Sequence, residues 1–582
     1  MAGAFLAALF LAACAKGDIA ENLGPKASLL KACLKGDECV AGAPLEQGNS
    51  FAGNFLAGRH AQVIRDMGNA AGYLSSALEK SPDEPDLLRR TFILLTSEGR
   101  MKEALPLARR VIAVNKKAPI ADILLAVDDF KNGRFAETED RLAAAPKNGI
   151  NIYIGPTLSA WARVGLGKSV KESVKALKGL GKKNGSQALH DLHHALINDV
   201  AGNAEAAKKK FKEAIKGQGG LSLRLAQLFG SLLERMGEIG EAKDLYQKYL
   251  DEHPNSRILG HAKKRVDRGG TPPREVATAI DGAAESLFGI ASSLSQQNIS
   301  EMALVLGRMA LHLKPNFPVM RILIADILES DGRLKIANQL YESIDPSSPF
   351  SWPARMGYAA NLDELDQTNR AIKQLRAMAA AEADQVEPLI NLGNILSRRE
   401  RFKEAVKAYD QALSRISEYK TKHWSIFYSR GIALERSKQW PRAEADFLKA
   451  LEFKPDQPFV LNYLGYSWVD QGINLDRAKE MIRKAVKLRP TDGYIVDSLG
   501  WVLYRLGDYD EAVIEMERAV ELRPQDPVIN DHLGDAYWKV GRMQEARFQW
   551  RRALSLDPEP ELRGAIGIKF KKGLADDAGG DI

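Results

Sequence analysis

Residues 499–524 read LGWVLYRLGDYDEAVIEMERAVELRP, and residues 533–558 read LGDAYWKVGRMQEARFQWRRALSLDP. Laid over one another at an offset of 34, they share Leu499 with Leu533, Gly500 with Gly534, Gly507 with Gly541, Ala512 with Ala546 and Pro524 with Pro558. Outward from this pair, Gly431, Gly465, Gly500 and Gly534 recur at intervals of 34, 35 and 34, and Pro455, Pro490, Pro524 and Pro558 at 35, 34 and 34. A fixed period in that range marks one helical hairpin repeated along the chain. Gly and Ala stand where two helices touch, so that a larger side chain would push them apart. Large residues such as Tyr537 and Trp550 are expected to fill the space between successive hairpins. Proline, lacking an N–H, ends the second helix.

The pattern is identified as the tetratricopeptide repeat, a helix-turn-helix of 34 residues. Fainter copies follow the inter-helix turn at Gly99, Gly133, Gly167, Gly202 and Gly237, then Gly332 and the polar turn Arg399 to Arg401. With Gly68, Asn298, Gln367, Gln439, Gly472, Gly507 and Gly541, about 14 hairpins are expected. A hairpin cannot bury its apolar face alone, so stability comes from stacked neighbours. The expectation is an all-α, superhelical solenoid in two arms. One interval breaks the rhythm: 61 residues separate Gly237 from Asn298, and Gly269, Gly270, Pro272 and Pro273 lie inside it. Such residues signal a loop. The expected division is therefore an N-terminal arm of degenerate repeats over 51–255, a linker over 256–285, a C-terminal arm over 286–570 and a flexible tail over 571–582.

The N-terminus carries a different signal. Every residue from Ala4 to Ala13 is apolar, and the run stops at Cys14. Its length is short of a bilayer span and fits the apolar core of a signal peptide, although no Lys or Arg precedes Phe5. Leu11-Ala12-Ala13-Cys14 resembles the lipobox of bacterial lipoproteins, which implies cleavage before Cys14 and acylation of its thiol. Cleavage after Ala15 and a buried apolar N-terminus are the alternatives. Residues 14–50 then form a tether, in which Cys33 and Cys39 read as a disulfide in an oxidising compartment or as two free thiols.

Chemistry is sparse. The chain has no phosphate-binding glycine loop, nucleophile elbow or His-Glu-x-x-His motif, so no catalytic residue, cofactor or metal site is expected. His190, His193 and His194 stand at helical spacing and read as polar residues of a repeat rather than zinc ligands. The formal net charge is +7. Lys168, Lys171, Lys175, Lys178 and Lys182 form a basic stripe, read as a solvated helix face. Anionic lipid or an acidic partner suits it better than nucleic acid, which is not an expected ligand.

In tetratricopeptide repeats the first helix of each hairpin lines a concave groove. The resemblance puts Phe459, Asn462, Tyr466 and Val469 there, then Tyr494, Asp497, Trp501 and Tyr504, then Val528, Asp531, Asp535 and Trp538. Exposed aromatics beside carboxylates and amides suit a peptide groove; the other reading is that these side chains pack hairpin on hairpin. The runs LNYLGYSWVDQG at 461–472, DSLGWVLYRLGDYDEAV at 497–513 and HLGDAYWKVGRMQEARFQW at 532–550, with NFLAGRHA at 54–61, are similar to a family of proteobacterial tetratricopeptide lipoproteins. One class in it is the outer-membrane adaptor of a periplasmic carboxyl-terminal processing protease that degrades cell-wall hydrolases. The resemblance implies a non-catalytic, lipid-anchored periplasmic scaffold, held at the outer membrane, that binds a protein partner such as that protease or a hydrolase. The alternative is an envelope-biogenesis factor that binds a client chain in outer-membrane protein or polysaccharide assembly.

Overall fold

Among the described residues thirty α-helices and two short 3₁₀ turns follow one another, with no strand. The computed structural model describes residues 48, 50–115, 118–180, 186–254 and 256–574. Cys14, Cys33 and Cys39, and with them the expected leader and disulfide, lie outside these, as do Lys182 and the end of the tail.

The inter-helix turns explain the glycine rhythm. Gly99, Gly133, Gly167, Gly202, Gly237, Gly332, Gly472, Gly507 and Gly541 all have φ between 69° and 85°, a region that a Cβ disfavours. Where glycine is missing, a polar residue takes the same conformation: Asn298 at φ 61°, Asp366 at 58°, Glu400 at 57° and Lys438 at 62°. The turns expected at Gln367 and Gln439 thus pivot one residue earlier. Gly68 is not a turn at all. It lies inside Met67–Lys80, and the pivot of that hairpin is Arg65 at φ 60°.

The second glycine series works by close approach. A Cβ on Gly431 would stand 2.7 Å from Phe447, on Gly465 2.8 Å from Ile482, on Gly500 2.4 Å from Met516, and on Gly534 2.5 Å from Trp550. Each contact joins the two helices of one hairpin. Trp550 therefore fills its own hairpin rather than the space between hairpins. The second helices stop at Phe453, Leu488, Leu522 and Ser555, just ahead of Pro455, Pro490, Pro524 and Pro558.

The chain divides into two compact units, Met1–Arg333 and Leu334–Ile582. The expected linker at 256–285 is not the boundary. Arg257–Asp267 is a helix with Leu259, Ala262 and Val266 buried, and the helix starting at Ala279 belongs to the N-terminal unit. Helix Ala279–Gln296 starts with a capping box in which Thr278 and Asp281 bond reciprocally, satisfying amides that the first turn would otherwise leave open.

In the N-terminal unit the hairpin Ala279–Gln296/Ser300–Leu313 packs on the first helices of four earlier hairpins. Its first helix lies against Asn151–Gly165 and Gln187–Val200, and its second against Pro85–Ser97 and Pro119–Lys131. Gly282 makes this possible, since a Cβ there would fall 2.1 Å from the fully buried Trp161 ring. Arg224 adds a buried pair by donating to Glu285 at 2.9 and 2.7 Å. Thr157 and Ser286 share a buried hydrogen bond, and Arg333 meets Glu98 at 2.6 Å with both side chains almost wholly enclosed. The inner face of this unit is filled by its own chain.

The C-terminal unit stacks its hairpins in sequence order. A continuous apolar core runs from Ala359 to Ile529, followed by a smaller one built on Met516, Leu533, Tyr537, Trp550 and Ile566. The last helix, Pro560–Lys572, contributes Ile566 to that second core.

Candidate functional site

Helices Pro458–Asp470, Gly493–Leu506 and Pro527–Lys539 are first helices of successive hairpins and carry every expected groove residue. The first two pack on their hairpin mates and the adjoining hairpins, with no further helix among the described residues laid across them as in the N-terminal unit, whereas Pro527–Lys539 also meets the last helix through Lys569. Those residues fall into three groups.

Phe459 and Tyr494 are exposed, 37% and 48%. Each ring is faced by an arginine from the next inter-hairpin turn, Arg489 at 4.8 Å and Arg523 at 4.9 Å. Lys454 over Trp424 at 5.0 Å begins the same series one repeat earlier. A guanidinium over a ring holds it by cation–π attraction while the ring edge stays in solvent. Asn462 and Tyr466 are half-buried beside them, and Val469 is buried. The Asn462 Oδ1 is enclosed without a hydrogen-bond partner. Burial, with Asp497 and Asp470 nearby, pushes the Tyr466 phenol up to about 12, so it remains a neutral donor at ordinary pH.

The second group is a polar column between hairpins. His532 Nδ1 lies 2.9 and 3.1 Å from the two carboxylate oxygens of Asp497. Burial works against protonation of His532, but the Asp497 carboxylate, joined by Asp531 and Asp535, outweighs it, and the imidazole pKa is raised. Trp501 stacks with His532 at 4.3 Å and with Tyr504 at 5.1 Å. Its Nε1 is buried without an acceptor. For Trp501, Tyr504 and Asp497 the structure favours packing of hairpin on hairpin, with one donor left over.

The third group departs from the expected open trough. Asp531 and Asp535 are buried, and Lys569 of the last helix donates to them at 2.9 and 2.6 Å. Asp535 also accepts from Trp550 Nε1 at 2.9 Å. Burial and the adjacent Asp531 raise the Asp535 carboxyl to about 6, against the pull of Lys569. Trp538 lies against Gly573, where a Cβ would stand 2.1 Å from its ring, and against Trp550 at 5.4 Å. The groove thus closes at its C-terminal end with the chain's own helix. His532, Lys569, Arg489 and Arg523 were not singled out from the sequence. The two arginines are visible there in retrospect, each directly ahead of a repeat-ending proline.

The histidine cluster is structural. His193 is fully buried and accepts from Trp161 Nε1 at 3.0 Å through Nδ1, and burial, with His190 adding, drives its pKa down to about 3. Among the described residues no group of three or more His, Cys, Asp or Glu is placed to hold a metal ion. Lys168, Lys171, Lys175 and Lys178 are exposed, as a solvated stripe requires. No helix among the described residues is long and apolar enough to cross a membrane.

Residues 322–560 match one tetratricopeptide repeat family, and residues 224–256 match another. Residues 224–256 and 322–560 carry tetratricopeptide repeats. The chain is 28% identical over 176 residues to TPR repeat-containing protein PA4667 of Pseudomonas aeruginosa, a stretch covering 30% of this chain and 28% of that protein's length. Among solved structures it is similar to YrrB, described as a TPR protein with an unusual peptide-binding site, at 21% identity over 33% of this chain and 97% of that one, TM-score 0.27. It is also similar to the Cut9–Hcn1 hetero-tetramer of APC/C, at 14% identity over 89% and 95% of the two chains, TM-score 0.36. Tetratricopeptide repeats are protein-interaction modules, and the hairpins of residues 322–560 are of that repeat class.

Proposed function

We propose that the chain is a non-catalytic scaffold whose C-terminal unit holds an extended segment of a partner protein along helices Pro458–Asp470 and Gly493–Leu506. One observation carries this reading: Phe459, Asn462, Tyr466 and Tyr494 line a first-helix face across which no further helix among the described residues is laid. Exposed rings pre-set by Arg489 and Arg523 offer contact area at small entropic cost.

The anchor and compartment complete the proposal. The apolar run ending at Cys14 supports lipid attachment and a place at the periplasmic face of the outer membrane. Multiple acyl chains would make that anchoring stable. A processing protease or a cell-wall hydrolase is the proposed partner, on the strength of the family resemblance of residues 461–550.

The test is capture from detergent-solubilised envelopes by tagged wild-type protein beside the triple variant Phe459→Ala, Tyr466→Ala, Tyr494→Ala, with helicity followed by circular dichroism. A protease or hydrolase retained by wild type and lost by a fully helical variant supports the reading. Equal capture by both proteins overturns the assignment of the groove. Recovery of only outer-membrane or polysaccharide assembly components moves the role to envelope biogenesis.

A further inference from the structure

The N-terminal unit contains a cleft of about 500 Å³ where helix Ser300–Leu313 passes the turn between Pro85–Ser97 and Met101–Val114. Its walls include Gly99, Lys102, Lys131, Arg308, Leu311 and His312. Cations outnumber the anions that could neutralise them. Arg100 and Glu103, both at the rim, hold each other in a two-point pair at 2.7 and 2.6 Å. Glu98 is taken by Arg333. Asp128 faces Arg134 at 3.4 Å and His312 Nε2 at 3.3 Å.

That leaves three positive groups without a carboxylate. Arg308 donates through Nε to the Ser97 carbonyl at 3.2 Å, and its terminal nitrogens have no partner among the described residues. Burial lowers its pKa, Glu98 opposing and Arg333 reinforcing the shift, yet a guanidinium stays charged at any ordinary pH. Lys131 Nζ is 3.3 Å from His312 Nδ1, which leaves two of its three N–H groups unused. Burial, joined by Lys131, keeps the His312 pKa low. A neutral ring then accepts from Lys131 and donates to Asp128. Lys102 is exposed and makes no ion pair among the described residues. Met101–Val114 begins at the same edge without a side-chain cap, so its first amides add positive potential.

A half-buried guanidinium with free terminal donors, flanked by two free ammonium groups and a helix start, is suited to an oxyanion. Leu311 and Pro315 give the cleft an apolar side, and its volume exceeds what one oxyanion fills. We propose that this cleft binds a small organic anion through a terminal phosphate or carboxylate, with Arg308 and Lys131 on the charge and Leu311 and Pro315 on the apolar part. The site lies in the N-terminal unit and is independent of the proposed groove.

Isothermal titration of the full chain with inorganic phosphate, phenyl phosphate and benzoate tests this. Saturable binding is expected for phenyl phosphate or benzoate, the better of the two naming the head group, and weaker binding for inorganic phosphate. Lys131→Gln and Lys102→Gln are both at exposed positions and are expected to lower affinity about five-fold each, Arg308→Gln more, since charge-assisted bonds are the strong ones. Should Arg308→Gln lose helicity, the lysine variants decide the matter alone. No saturable binding of any probe overturns the site. So does binding that Lys131→Gln leaves unchanged, or an equal loss on substituting Lys171 and Lys175 of the remote stripe. Tighter binding of inorganic phosphate than of either aromatic anion overturns the apolar part of the assignment.

Discussion

The two units build the same hairpin and use its inner face in opposite ways. In the N-terminal unit, Trp161 and Thr157 look inward and are covered by the chain's own helix Ala279–Gln296, with Gly282 against the ring and Ser286 against the hydroxyl. In the C-terminal unit, Phe459 and Tyr494 occupy first helices with no such cover. The repeat period is thus neutral about function. What distinguishes a closed unit from an open one is a single glycine, an ion pair and the path of one hairpin.

The largest expected effect falls on the closing contact. Glu285→Ala leaves the buried Arg224 with only the exposed Glu275 at 3.3 Å, a change expected at the lower end of the about 3–5 kcal/mol lost when one partner of a buried pair is removed. Thermal unfolding should show the N-terminal unit melting earlier, and limited proteolysis should open the segment 268–278 ahead of the C-terminal unit. An unchanged melt would break the contrast between a covered and an uncovered face.

Next comes the close approach inside hairpins. Gly534→Ala forces a methyl into the Trp550 ring, and Gly500→Ala into the flexible Met516. Overpacking costs about 1–3 kcal/mol, and the stiff ring should put Gly534→Ala at the upper end. Denaturant midpoints of the two variants measure the difference, and a larger loss at Gly500 would contradict the packing described.

A pH effect sharpens the distinction at the closed end of the groove. The Asp535 carboxyl has a pKa of about 6, up from an ordinary 3.8, through burial and Asp531. The folded state therefore holds this proton more tightly than the unfolded one. Its stabilising contribution is complete below pH 3.8 and is lost as pH rises through 6. Asp535→Asn keeps an acceptor for Trp550 and should lack that descending segment in a plot of stability against pH. An identical slope in both proteins between those values would show that Lys569 already cancels the burial of the carboxylate.

The smallest effects on stability belong to the open rings. Phe459→Ala and Tyr494→Ala should each shift unfolding by no more than about 0.5 kcal/mol, as surface substitutions do, while weakening partner capture. Loss of stability as large as that for Gly534→Ala would mean that these rings serve packing.

The helical-hairpin class, the turn glycines and the close-approach glycines were legible because each is a local steric demand that recurs with the period. Turns without glycine were less so. Asp366 and Lys438 carry the left-handed conformation, yet nothing distinguishes them in sequence from Gln367 and Gln439 beside them. The unit boundary was misplaced because Gly269, Gly270, Pro272 and Pro273 do mark irregular chain, but the following hairpin turns back onto helices more than a hundred residues earlier. No period reports a contact such as Gly282 with Trp161. The groove was half legible: offsets found its first helices, while Lys569 reaching Asp531 and Asp535 from a non-repeat helix could not be read from them.

The central claim is that partner protein lies on the first-helix face of the C-terminal unit. A photoreactive phenylalanine analogue placed at Tyr494, and in a second protein at Ile514, tests it most directly, since Ile514 is 64% exposed on the second helix of the same hairpin. Irradiation of intact cells should yield a crosslinked protein from position 494 and none from 514. Crosslinks from 514 alone, or the same products from both positions, would contradict the account.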